Sequence, residues 1–262
     1  MEEVIDLVLK KKELNGIDKS IALKEINRNL NSKVAKLIKD ERYKSKEFKE
    51  FVKKVRAQLR RQFGAFNNAN IDREGLVKKK DYSGLMLSHQ SSRERLPYYN
   101  EVYLKIFKDF NEPISIIDLG CGFNPLSIEF MKVKPKKYLA LDINENDLKI
   151  IREYFKQKGM SGEAKVFDAT NLKNYAFNEV FDCCFAFKVF EILERTKSHR
   201  LTEDIIKLVP AKVIVASFST RTLSGAPMTK KRRIWFEVMS KRLGYLVKSF
   251  SIPNELFYIL SK

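Results

Sequence analysis

The chain is 262 residues long, 44% hydrophobic and 32% charged, which provides apolar matter for one large or two modest domains and excludes intrinsic disorder. No apolar run approaches the roughly 20 residues of a membrane span, the opening MEEVIDLVLKKK sets acids before its short apolar stretch as no secretory signal does, and three cysteines with two histidines at no ligand spacing argue against structural zinc, so a cytoplasmic, metal-free protein is expected. The formal net charge of +18 points to a polyanion, RNA or DNA, as partner, with a solvated lysine-rich surface as the plainer alternative.

Residues 1–110 carry 26 Lys and Arg against 16 Asp and Glu and read as helices. Apolar spacing predicts helices near 2–14, 19–30 and 32–40. Phe48, Phe51, Val52, Val55 and Leu59 then form one helical stripe, with Gly64 as its stop. The opposite face carries Lys49, Lys53, Lys54, Arg56, Arg60 and Arg61; of these, Lys53, Lys54, Arg60 and Arg61 are the candidates for RNA phosphate contact. Asn67 to Lys80 is polar and reads as a loop or short turns. A last helix is expected from about Pro97 to Asp109, with proline in the tolerated first turn.

From Ile114 the pattern alternates between strands and helices. Strands are expected at 114–119, 137–142, 164–168, 180–187, 212–218 and 256–260, and helices near 125–133, 145–158, 189–207 and 228–243. This is the signature of an α/β fold, a doubly wound, Rossmann-like parallel sheet. The boundary falls at "FNEP", giving a helical domain over 1–110 and a ligand-binding domain over 111–262. Residues 111–211 are balanced, 15 basic against 15 acidic, whereas 212–262 carry 10 against 2. Two basic flanks enclose a neutral middle.

The neutral middle opens with "SIIDLGCGFNPLSIEFM" (115–131). Gly120 and Gly122 follow the first strand, where ligands bind in such sheets and where a backbone without side chains can pass close to one. Phe123, Asn124 and Pro125 come next, so the stretch is not GxGxxG and a dinucleotide pyrophosphate is disfavoured. Asp118-x-Gly-x-Gly suits S-adenosylmethionine instead. Asp142 ends the second strand and can accept from both ribose hydroxyls; Ile143 beside it belongs to the same cofactor wall. Asp168 ends the third and can accept from the exocyclic amine of adenine, with the Ala169 amide near the ring. Each acid alone could be a turn or cap, but acids and glycines at three successive strand ends predict a class I S-adenosylmethionine-dependent methyltransferase fold.

Five stretches, "HQSSRER" (89–95), "GCGFNPL" (120–126), "SFSTRTLSG" (217–225), "WFE" (235–237) and "NELFYI" (254–259), resemble in the same order the motifs of the aminoglycoside-resistance 16S ribosomal RNA (guanine-N7) methyltransferases and their archaeal-like relatives. The helical amino-terminal region resembles that family's RNA-docking extension. The resemblance implies roles. Arg95 is similar to the arginine that pairs with the methionine carboxylate of the cofactor, a contact suited to a guanidinium; the alternative is an exposed surface arginine. Ser91 with Glu94 also fits a helix capping box. His89 reads as structural, with no acid–base partner in view. Lys188, at the end of the fourth strand and facing the cofactor, and Glu194 match a lysine and glutamate six apart that position rather than exchange protons. The family's usual prolines are replaced by Glu191 and Ser219, which bears on loop shape. Arg221, Ser224 and Gly225 would line the entrance for the target base. Lys230, Lys231, Arg232 and Arg233 form a basic run read as phosphate-contacting rather than merely solvated. Trp235 and Phe236 read as core with Met239 rather than as stacking platforms.

The chemistry fits this set. Guanine N7 has a lone pair and no proton to lose, so its methylation needs positioning and no general base. Amine methyltransferases often carry N/D-P-P-Y after strand four, where this chain reads "AFKVFE". Pyrimidine C5 chemistry needs a reactive cysteine; Cys183 and Cys184 lie inside a strand, and Cys121 reads as a small filler. The expectation is a monomeric enzyme acting on small-subunit ribosomal RNA at the decoding site, for drug resistance or housekeeping. The rivals are the same chemistry on tRNA and a non-catalytic ribosome assembly factor.

Overall fold

The computed structural model describes residues 1–62, 71–110, 113–194, 198–222 and 225–262, with the main chain alone for Arg61, Gln62 and Asn174. The amino-terminal unit comprises α1 (Glu2–Leu9), α2 (Lys19–Asn29), α3 (Ser32–Lys39) and α4 (Lys46–Gln62). Polar residues start two of them: the Asp18 carboxylate accepts from the Ser20 N–H at 2.9 Å, and Asn31 Oδ1 accepts from the Val34 N–H at 2.9 Å. The apolar stripe of α4 packs as its spacing requires, with Phe48, Phe51, Val52, Val55 and Leu59 buried against Val4, Val8 and Ile26. The helix expected over 2–14 stops at Leu9. A continuous helix would carry Leu14 off the face of Val4 and Val8; a 3-10 turn over Lys12–Leu14 returns it to the core instead.

Four short helices follow: α5 (Arg73–Lys78), α6 (Tyr82–Leu87), α7 (Gln90–Arg95) and α8 (Tyr99–Ile106). The stretch from Asn67 to Lys80, read as loop, therefore holds a helix among its described residues. Two Asp-x-x-Gly caps account for the first pair: Asp72 accepts from the Gly75 N–H at 3.0 Å and Asp81 from the Gly84 N–H at 2.8 Å. Leu85, Tyr99, Val102 and Tyr103 share one hydrophobic core with the sheet residues Ile116 and Phe185. The packing thus groups α6 and α8 with the sheet.

The sheet has seven strands, β1 (Ile114–Leu119), β2 (Pro135–Asp142), β3 (Gly162–Val166), β4 (Phe181–Phe187), β5 (Ala211–Ser219), β6 (Leu246–Ile252) and β7 (Glu255–Ser261), in the order β3-β2-β1-β4-β5-β7-β6. The first five are parallel and β7 is antiparallel to both its neighbours. One face is covered by α6, α8 and α9 (Glu145–Gln157); the other by α11 (Arg200–Leu208) and α12 (Ile234–Arg242). Strand order reverses between β1 and β4, which opens a crevice beyond their carboxyl ends. No helix among the described residues is long and apolar enough to cross a membrane.

Several elements differ from expectation for identifiable reasons. β6 lies at the sheet edge, and most of its residues face solvent, so it lacks an apolar run; it turns into β7 through Asn254 at φ +69°. The helix expected near 125–133 is a 3-10 stretch over Asn124–Phe130, tightened by the Ser127 hydroxyl donating to the Asn124 carbonyl at 2.6 Å. The single helix expected over 189–207 is two, α10 (Phe190–Leu193) and α11, the latter entered through His199 at φ +53°. The helix expected from 228 starts only at Ile234, because Arg233 Nη1 takes the carbonyls of Lys230 and Lys231, at 2.9 and 2.8 Å, and curls that backbone around itself.

Candidate active site

A pocket lies in the crevice where strand order reverses. Gly120 has φ +61° and Gly122 φ +47°, a conformation L side chains rarely adopt. A Cβ at Gly122 would stand 2.9 Å from the His89 ring, and one at Gly120 2.8 Å from Val189, so both positions require glycine twice over. Asp142 is held by main chain: its carboxylate accepts from the Gly122, Ile143 and Asn144 amides at 2.9, 2.7 and 3.0 Å. Burial raises its pKa, and those amides oppose the rise. Asp168 caps the turn over Ala169–Asn174 through the Thr170 amide at 2.9 Å. Burial works against its charge, but hydrogen bonds from Lys24 and Thr170 win, and its pKa is lowered. The structure brings Gly120, Gly122, Asp142, Ile143, Asp168 and Ala169 together in the lining of one pocket. A carboxylate has four acceptor positions, and Asp142 uses three on its own backbone. This cradle, where a single added Cβ would collide, fits a nucleoside.

Asp118 is a different kind of residue. It is sealed in the core, accepting from Tyr138 OH at 2.6 Å and Asn124 Nδ2 at 2.9 Å. Burial pushes its pKa up to about 7 against those two bonds. It fixes Asn124, and through it the chain leaving the glycine turn.

The second wall is ionic. Arg95, 2% exposed, lies within 3.0–3.1 Å of both Glu255 oxygens through Nε and gives Nη1 to Asn124 at 3.1 Å and to Tyr99 OH at 3.3 Å. Its Nη2 has no hydrogen-bond partner among the described residues. The arginine read as a ligand for the cofactor carboxylate thus lines the pocket while tied to Glu255. Lys188 directly follows β4 at φ +58°, strained for a side-chain-bearing residue, with its N–H on the Ser217 carbonyl at 3.0 Å. Its Nζ reaches Glu94 at 2.5 Å and Glu255 at 3.4 Å. Glu94 is therefore not part of a capping box: Ser91 is buried inside α7, whose N-cap is His89. His89 is buried, and burial drops its pKa to about 3, which suits the structural role expected of it. Glu194 is not in the pocket wall; it accepts from the Thr202 amide and hydroxyl at 2.8 and 2.7 Å and anchors α11.

The basic residues divide. Lys53 and Lys54 are exposed on α4, Arg60 is exposed but bonded to Glu13 at 3.0 Å, and Arg56 is turned inward onto the Val8 carbonyl at 3.1 Å. The Arg61 side chain and Ser224 lie outside the described residues. Arg221 is exposed, with Nη1 on the Gly225 carbonyl at 3.0 Å. Lys230 and Lys231 are exposed, and Arg232, also exposed, pairs with Glu237 at 3.0 Å. Arg233 is withdrawn from the phosphate-contacting set: it is buried, ion-paired to Glu191, and donates to the Ser219 carbonyl at 2.8 Å. Glu191 also accepts the Ser219 N–H at 3.2 Å, so the two positions that depart from the family's prolines meet. Phe236 and Met239 are core, and Trp235 stacks on His199 at 3.7 Å.

Sequence reading missed Glu255 and Lys24. A signal for Glu255 existed: residues 212–262 hold only two acids, and this one begins an apolar strand. For Lys24 the signal was a charged stripe, since Ile21, Lys24, Glu25 and Arg28 fall at i, i+3, i+4 and i+7 and all face the pocket.

The family model "Ribosomal RNA methyltransferase (FmrO)" matches residues 51–259. A 16S rRNA (guanine(1405)-N(7))-methyltransferase of Micromonospora rosea is 27% identical over 180 residues, 68% of this chain and 64% of that protein. The chain thus aligns with somewhat under two thirds of that relative's length. One of the same description from Proteus mirabilis is 24% identical over 242 residues, 82% of this chain and 85% of that protein. Among solved structures, the 16S rRNA methylase RmtB superposes with a TM-score of 0.75 at 19% identity over 100% of this chain and 98% of its own, and the methyltransferase RmtF, in complex with S-adenosyl-L-homocysteine, with 0.73 at 20% over 100% and 97%.

Proposed function

The chain belongs to the ribosomal RNA methyltransferase (FmrO) family, and from that premise we propose that it transfers a methyl group from S-adenosylmethionine to N7 of a guanine in small-subunit (16S) ribosomal RNA, at the decoding site. The observation that carries the reading is the main-chain-held Asp142 beside the Gly120–Gly122 cradle. Asp142 Oδ2 keeps one fixed acceptor position, for one ribose hydroxyl rather than the two expected from the sequence, where backbone approaches closely and no phosphate-binding glycine fingerprint follows. The relatives' descriptions supply the target base and the RNA.

S-adenosylmethionine supplies an electrophilic methyl group. Guanine N7 brings a lone pair and no proton, so the protein's task is to align the base, and a neutral, buried His89 is no obstacle. As the new C–N bond forms, the C–S pair returns to sulfur and the positive charge passes to the purine. Asp142 and Asp168 orient the nucleoside, and Arg95, which lines the same pocket, is our candidate for the carboxylate end. Lys188, clamped by Glu94 and Glu255, shapes the side of the pocket across the switch point. The three cysteines are buried with thiols pushed up by desolvation, the opposite of what nucleophilic attack on a pyrimidine needs. We assign RNA docking to α1–α4, with Lys53 and Lys54 on its exposed face, and to the exposed Arg221, Lys230, Lys231 and Arg232.

The test is transfer from labelled S-adenosylmethionine to 30S subunits, free 16S RNA and bulk tRNA, followed by borohydride and aniline scission to locate 7-methylguanine. Label in 30S subunits with scission at one guanine is expected. Label in tRNA alone, or label without scission, overturns the assignment.

A further inference from the structure

The cofactor cradle is not built by the sheet domain alone. Helix α2 and the turn that leads into it, from the basic amino-terminal unit, attach beside both of its acids. On the Asp142 side the attachment is main chain: the Gly16 carbonyl accepts from the Glu145 N–H at 2.8 Å and the Asp18 N–H donates to the Ile143 carbonyl at 3.1 Å. Gly16 sits at φ +93°, and a Cβ there would meet Asn144 and Asn146 atoms at 2.5 and 2.7 Å. Ile143 completes the bond between the units by packing among the amino-terminal helices. On the Asp168 side the attachment is one ammonium. Lys24 Nζ pairs with the Asp168 carboxylate and donates to Thr170 Oγ1 at 2.6 Å and Asn171 Oδ1 at 2.9 Å. All three acceptors belong to the turn that follows β3.

We propose that Lys24 is a positioning residue for the methyl donor: contributed by the RNA-docking unit, it fixes the Asp168 carboxylate as the acceptor for the exocyclic amine of adenine. The inference rests on the reading of this pocket as an S-adenosylmethionine site. Its physical basis is the division of the carboxylate. Thr170 donates both its N–H and its hydroxyl to Oδ1, and Lys24 pairs with Oδ2, which sets the plane of the group and leaves the second lone pair of Oδ2 for a ligand. The ammonium also favours the ionised form of this acid, its hydrogen bond helping to lower the pKa against burial. Without Lys24 the Oδ2 side of the carboxylate is no longer held, and adenine loses its distinguishing partner. The donor site is therefore complete only when the amino-terminal unit is docked.

The experiment is calorimetric titration of the full chain with S-adenosylhomocysteine and with S-inosylhomocysteine, in which a carbonyl oxygen replaces the exocyclic amine. Wild type should prefer the adenosyl compound by about tenfold to a hundredfold, the worth of one hydrogen bond to a charged acceptor. Lys24→Ala should bind the adenosyl compound more weakly and bring the ratio of the two constants toward one, while Lys24→Arg should restore most of the preference. A Lys24→Ala protein that weakens both compounds equally, or neither, overturns the proposal, because a merely structural lysine would leave the ratio intact. Wild type that binds neither compound would instead sink the donor-site reading itself, so the two failures are told apart. Far-UV circular dichroism and thermal unfolding of each variant confirm that the comparison is between folded proteins.

Discussion

The two walls of the pocket are built by different means. On the cradle side, Asp142 is held by three amides within two residues of itself or across one strand turn. On the other side, Arg95, Glu255, Lys188 and Glu94 hold one another through side chains contributed by α7, the residue after β4, and β7. Backbone amides are fixed by the fold and keep their direction whatever neighbouring side chains do. A buried ionic cluster has no such reserve: each charge has given up water for its partner, and removal of one leaves the others uncompensated. The cradle is therefore expected to fail locally, by losing ligand, and the ionic wall globally, by losing stability.

The sharpest break of that contrast is Glu255→Ala. It strands a 2% exposed Arg95 and removes one of the two carboxylates near Lys188, and it should cost about 3–5 kcal/mol of folding free energy in urea titrations. Asp142→Ala should leave the unfolding midpoint much closer to wild type; equal losses from the two would erase the distinction. Next in size is a pH effect at Asp118. Burial lifts its carboxyl to about 7, so the folded protein holds a proton that the unfolded chain releases near 4. The resulting stabilisation is complete below about pH 4 and is lost as pH rises through about 7. Relative to Asp118→Asn, wild type should therefore lose stability across that window at up to about 1.4 kcal/mol per pH unit, and parallel curves would contradict the shift. The smallest effect belongs to the exposed helices. Lys53→Ala with Lys54→Ala should weaken binding to 30S subunits and reduce the slope of log affinity against log salt by roughly 0.7–0.9 for each phosphate left without its lysine, with binding of S-adenosylhomocysteine unchanged.

The same difference decides what could be read in advance. The cradle was legible because its parts are local: glycines and acids at the ends of apolar strands, with β1 buried along its whole length. In the ionic wall Arg95 and Lys188 were reached only through the family resemblance, and their pairings were not legible, because Arg95 and Glu255 are 160 positions apart and Lys188 and Glu94 are 94 apart, and no periodicity links them. Lys24 and Asp168 are separated by 144 and belong to different units. Arg233 shows the limit of charge-run reasoning: three of four successive basic residues are exposed, and the fourth turns inward to Glu191. The solvent-facing β6 shows the limit of hydropathy, since an edge strand needs few apolar residues to pair.

The most direct test of the account is titration of the wild-type chain with S-adenosylhomocysteine alongside Asp142→Ala. One-to-one binding by wild type, weakened on the order of tenfold or more in the variant, is the predicted result. Absence of binding by folded wild type, or equal affinity in the two proteins, would contradict it.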